Sequence, residues 1–91
     1  MYGGEAKSCA IEAITAAKKK DFDRAQERLS QAQKALLQAH HAQAEMLSKE
    51  AQGEKTELSL FMVHGQDHLM TSIAFVDLAK EIVDLHKKFD E

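Results

Sequence analysis

His64, Asp67 and His68 stand together in the stretch VHGQDHLMT over residues 63–71. On a helix, residues three and four apart are neighbours, so His64 faces both Asp67 and His68, and the three side chains can act on one group. Asp67 also lies four after Val63 and three before Met70, which puts a carboxylate on a face whose other members are apolar. A buried carboxylate has to be paired, hydrogen-bonded, protonated or bound to a metal. The plainest alternative is that Asp67 and the histidines lie at a rim and are hydrated.

Two chemistries fit the trio. In metal-assisted hydrolysis, His64-x-x-Asp67-His68 has the order of a helical H-x-x-E-H zinc motif with a shorter acid. It would need a third ligand, which His40, His41 or Glu45 could supply, and a cleft that so small a chain has little room to build. The other chemistry is phosphoryl transfer. A neutral imidazole nitrogen is a nucleophile toward a phosphoryl group, a neighbouring acceptor fixes its tautomer, and transfer between two proteins needs no deep pocket. Gln66, His68 and Thr71 are the nearby donors for phosphate oxygens, with His68 best placed by helix geometry.

Three helices are expected to position these residues. Small apolar residues recur at Ala6, Ala10, Ala13, Ile14 and Ala17, which predicts a thin first helix over about 5–19. The run Lys18-Lys19-Lys20 then meets Asp21, a good N-cap. From there Phe22, Ala25, Leu29, Ala32, Leu36, Ala39, Gln43 and Met46 form a heptad seam with small residues in alternate layers. This second helix is expected over about 21–52, ending before Gly53 in a connection through Glu54-Lys55-Thr56. The third, about 58–89, is apolar on several faces: Leu69, Ile73 and Val76; Phe75, Leu78, Ile82, Leu85 and Phe89; and Leu60 to Val63. Two short helices can hardly cover it, so self-association is expected.

The remaining features narrow the class. Residues 1–91 are expected to form a single all-α domain, an antiparallel three-helix bundle. The chain is 44% hydrophobic but only 5% aromatic, with no Trp or Pro, which suits closely packed helices. A formal net charge of -3, with one tight basic run, argues against nucleic acid as a partner. No apolar stretch reaches the ~18 residues of a membrane span, and no leader pattern is visible, so a cytoplasmic location without membrane insertion is expected. The single cysteine, Cys9, reads as a small core residue without an internal disulfide partner. His40 and His41 read as rim or structural residues, His86 as solvated, and Met46, Met62 and Met70 as core.

The histidine segment strongly resembles that of the lactose/cellobiose-specific enzyme IIA components of the bacterial phosphoenolpyruvate-dependent sugar phosphotransferase system. VHGQDH followed by LMTSI carries most of the likeness. Gly4-Glu5-Ala6-Lys7-Ser8 is similar to that family's opening, Asp21-Phe22-Asp23 with Ala25 to its second-helix start, Ala39-His40-His41-Ala42-Gln43 to its A-H-x-x-Q segment, and Gly53-Glu54-Lys55 to its loop. The resemblance implies a homotrimeric phosphohistidine carrier. His64 would receive phosphate from HPr and pass it to a cysteine of the cognate IIB protein. Asp67 would meet its symmetry mates around a divalent cation, taken to be magnesium, and His68 would hydrogen-bond the phosphate. The chain departs from the family pattern in having only Met1, Tyr2 and Gly3 before Gly4, and Lys20 where members often carry glycine between the first two helices. A non-catalytic trimeric bundle is the competing reading.

Overall fold

The computed structural model describes the backbone of residues 2–51 and 60–90, and the side chains among these except at 47, 50, 51 and 60–64. The chain runs up, down and up through α1 (Tyr2–Lys18), α2 (Phe22–Ala51) and α3 (Leu60–Asp90). The expected connection around Gly53 lies outside the described residues.

The α1–α2 junction shows how local chemistry sets the topology. The Lys20 amide donates to the Ala17 carbonyl at 3.0 Å and the Asp21 amide to the Ala16 carbonyl at 2.9 Å, a pairing that closes a helix through a left-handed residue. Lys20 is that residue, with φ 64°. Asp21 then caps α2, its carboxylate accepting the Arg24 amide at 3.2 Å. The chain thus reverses within three residues, which holds α1 and α2 side by side.

Their contact is made of alanine. Ala6, Ala10, Ala13, Ala16 and Ala17 of α1 are buried against Ala25, Leu29, Ala32 and Ala35 of α2. The small side chains of both seams, visible as a pattern in the sequence, let the two helices approach closely. Phe22, Leu36, Ile14 and Phe75 pack around this core. On α3 the inward residues are Leu69, Ser72, Val76, Ala79 and Val83. Cys9 is buried, and burial pushes its thiol up, with the nearby Glu12 carboxylate adding to the effect.

α1 starts at Tyr2, earlier than the expected Glu5. Two glycines in a row argue for a late start, but Gly3 is buried, and its carbonyl accepts a hydrogen bond from the Ser72 hydroxyl at 3.3 Å. Docking on α3 overrides the weak helix propensity of glycine.

A single chain leaves much of α3 uncovered. The bundle is a thin rod, 55 × 18 × 17 Å, and among the described residues the largest side chain under 2% exposed is Ser72. Leu78 is 65% exposed, Leu85 54% and Phe89 81%, and Met70 and Ile82 lie on the same outward stripe. Met70 and Met46, expected in the core, are exposed in the protomer: Met70 faces away from the buried side of α3, and Met46, although on the α2 seam, lies about three turns past Ala35, the last described residue of α2 that is buried. The side chain of Met62 lies outside the described residues.

Candidate functional site

The three residues singled out by the sequence occupy one end of the rod, in the first turns of α3. His64 belongs to that helix, and its side chain lies outside the described residues. Asp67 is exposed. It lies a whole number of turns from Leu85, so it heads the outward apolar stripe that continues through Ala74 and Leu78. In a single chain the carboxylate is thus hydrated, and the burial cost expected from its apolar neighbours does not arise there. The neighbours are apolar but uncovered.

His68 turns the other way, toward α1, and is half-buried. Its ring lies over the Gly3 backbone so closely that a Cβ on Gly3 would stand 2.5 Å from Cδ2 and 2.9 Å from Nε2. The His68 carbonyl accepts from Ser72 Oγ at 2.7 Å and from Thr71 Oγ1 at 3.1 Å. Thr71, considered above as a phosphate donor, spends its hydroxyl proton on its own helix. Ser72 was not singled out by the sequence, since a lone serine in an apolar run carries no signal of its partner.

From α2, Gln43 is half-buried against the same turn. Its carboxamide nitrogen lies 2.6 Å from where a Cβ on Gly65 would stand. A glycine inside a helix costs ~1 kcal/mol against alanine, so Gly65 between His64 and Asp67 was the sequence signal that another group approaches there. The space enclosed at this end is about 110 Å³, bordered by Gly3, Ala39, Ala42, Gln43, Gly65 and His68 among others. Pockets that enclose a small molecule usually run ~300–1,000 Å³, so this end is suited to presenting a group rather than surrounding a substrate.

The other histidines are placed elsewhere. His40 and His41 are exposed on α2. His86, expected to be solvated, is half-buried at the far end of the rod in a cleft with Ala17, Phe22 and Phe89, because the turn through Lys20 brings α1 and α2 against it. Among the described residues no three His, Cys, Asp or Glu side chains come together as metal ligands. Asp67 and His68 diverge, and neither His40, His41 nor Glu45 joins them. Likewise, no described helix is long and apolar enough to cross a membrane.

The fold and this end of it define a class: a slim three-helix bundle whose end carries the turn of His64, Asp67 and His68 and encloses too little space to surround a substrate. Comparison with known proteins gives the family. The profile of the PTS system, Lactose/Cellobiose specific IIA subunit family matches residues 1–87. Similar proteins include the lichenan-specific phosphotransferase enzyme IIA component of Bacillus subtilis, 47% identical over 91 residues (all of this chain and 83% of that protein). The lactose-specific EIIA component of Streptococcus mutans is 46% identical over 96% of this chain and 84% of its own length. Among solved structures, the cellobiose-specific enzyme IIA from Bacillus anthracis superposes with TM-score 0.90 at 44% identity, covering 98% of this chain and 82% of that one. The IIA(Chitobiose) chain solved in complex with HPr gives 0.88 at 36% identity, covering 99% and 87%. The chain belongs to the lactose/cellobiose-specific IIA family of the sugar phosphotransferase system and is a phosphoryl carrier of that system.

Proposed function

We propose that this protein carries phosphate on His64, accepting it from HPr and passing it to a cysteine of a cognate IIB protein during uptake of a lactose- or cellobiose-type sugar. The observation that carries the reading is the His64–Asp67–His68 turn at the head of the outward stripe of α3, in a chain whose relatives are IIA components. The relative solved in complex with HPr supports the choice of donor.

The transfer needs little from the protein beyond placement. A lone pair on a His64 ring nitrogen attacks the phosphorus of phosphorylated HPr; the new N–P bond forms as the bond to the donor breaks, and HPr leaves with its electron pair. The second transfer exchanges that N–P bond for an S–P bond on the acceptor cysteine. His68, one turn on, is proposed as the hydrogen-bond donor to phosphate oxygens, its ring held by the Gly3 backbone and its carbonyl by two hydroxyls.

The assembly is proposed to be a homotrimer about the outward stripe of α3. Covering Met70, Leu78, Ile82, Leu85 and Phe89 would remove five large apolar side chains from water. At ~1.5–3 kcal/mol for full burial of each, their uncovered share comes to roughly 6 kcal/mol per protomer before the cost of association. The same packing would bring one Asp67 from each chain to the axis. Carboxylate oxygens are the donors that suit a hard divalent cation such as magnesium. Among the described residues a single chain offers no three-ligand group of its own, and the proposal is accordingly for an ion shared between protomers. When bound, it supplies charge neutralisation among the three carboxylates. A cytoplasmic location follows from work between HPr and a IIB protein.

The test is intact mass after incubation with phosphoenolpyruvate, enzyme I and HPr. One acid-labile phosphate per chain, absent from His64→Ala, is the expected result. A folded trimer that takes no phosphate would favour the non-catalytic bundle instead.

A further inference from the structure

We infer that Gln43 is a positioning residue for phosphoryl transfer, and that Gly65 is glycine because the Gln43 carboxamide occupies the place of its side chain. The inference rests on His64 as the carrier. The carboxamide nitrogen stands 2.6 Å, and the carboxamide carbon 3.8 Å, from where a Cβ on Gly65 would be, so α2 bears directly on the residue next to His64 in the chain. Behind the contact the wall is small: Ala39 and Ala42 of α2 leave a cavity of about 110 Å³, on whose border Gln43, Gly65 and the His68 ring all lie. A side chain at position 65 would drive the carboxamide off the α3 backbone, either into that cavity toward His68 or out to solvent. Either movement removes the Gln43 contact from the turn that carries His64. Gln43 is thus coupled to the carrier through the backbone at Gly65.

Alanine is the better helix former, so a purely structural reading of Gly65 makes Gly65→Ala harmless or mildly stabilising. The positioning reading makes it costly to the transfer step and only in the presence of Gln43. The experiment compares phosphorylation by phospho-HPr of the wild-type assembly, Gly65→Ala, Gln43→Ala and the double variant, with kcat and KM separated and the oligomeric mass checked for each. Misplacement of a reacting group by about 1 Å can cost up to about a hundredfold in rate, so a fall in kcat of about tenfold or more is expected for Gly65→Ala, with KM unchanged. In the Gln43→Ala background the same substitution is expected to cost nothing further. Nuclear Overhauser contacts between the Gln43 carboxamide protons and the Gly65 α-protons are expected in the wild type. Equal kcat for Gly65→Ala and wild type, independent effects of the two substitutions, or absence of those contacts would overturn the positioning role alone. A wild-type chain that accepts no phosphate would overturn the carrier reading, and the positioning role with it.

Discussion

Lys20 holds a backbone conformation that is costly for an L-residue. Its φ of 64° lies in the left-handed region, which costs an L-residue roughly 1–2 kcal/mol relative to the right-handed one. Lys20→Gly removes that cost. Glycine in turn loses more freedom on folding, by roughly 0.5–1 kcal/mol, so the net gain expected is about 0.5–1 kcal/mol. The substitution also deletes the ion pair between Lys20 Nζ and Asp90 Oδ1 at 3.3 Å, but the lysine side chain is 76% exposed and such a pair contributes little. Lys20→Ala separates the two effects, because it deletes the pair and keeps the strain. For a domain of this size each kcal/mol moves the melting temperature by about 4–8 °C, so Lys20→Gly is expected to melt a few degrees above both wild type and Lys20→Ala. Melting of an oligomer depends on concentration, so the three proteins are compared at one protomer concentration, or by urea titration with full linkage to assembly. If Lys20→Gly proves no more stable than Lys20→Ala, the strain at the α1–α2 turn is absent and the argument from the left-handed cap fails.

Leu78→Asp puts a charge in the middle of the outward stripe of α3; helicity is expected to persist while sedimentation velocity shows dissociation, and an unchanged trimer would remove α3 from the interface. Asp67→Leu is expected to abolish magnesium binding by titration calorimetry while the trimer survives, since three leucines at an axis attract where three carboxylates repel; stoichiometric binding in the variant would disprove the assignment. Ser72→Ala removes the buried hydroxyl that reaches the Gly3 and His68 carbonyls, and a loss of about 1 kcal/mol is expected in denaturant unfolding. A loss near zero there would mean that α1 docks on α3 by packing alone.

Much of this protein is legible from residue order because helices carry short periods. The alanine seams of α1 and α2, the cap at Asp21 and the apolar surplus of α3 all follow from neighbours three or four apart, and the helical turn joining His64, Asp67 and His68 needs no tertiary knowledge. That α3 had more apolar surface than two partners could hide was likewise a matter of counting. What periodicity cannot show is which face of α3 meets which helix, because a helix apolar on several sides has several equally good inward faces. The tertiary structure decided it: packing around Leu69, Ser72, Val76, Ala79 and Val83 turns Leu78, Leu85 and Phe89 outward. The same rotation sends Asp67 out with the stripe and His68 in toward Gly3, so two residues adjacent in sequence part company. The early start of α1, the Ser72 link and the seat of Gln43 on Gly65 are contacts between segments distant in the chain. A glycine inside a helix can signal that some group approaches, but no local pattern names the partner, and these contacts exist only once three helices are packed at a definite spacing and rotation.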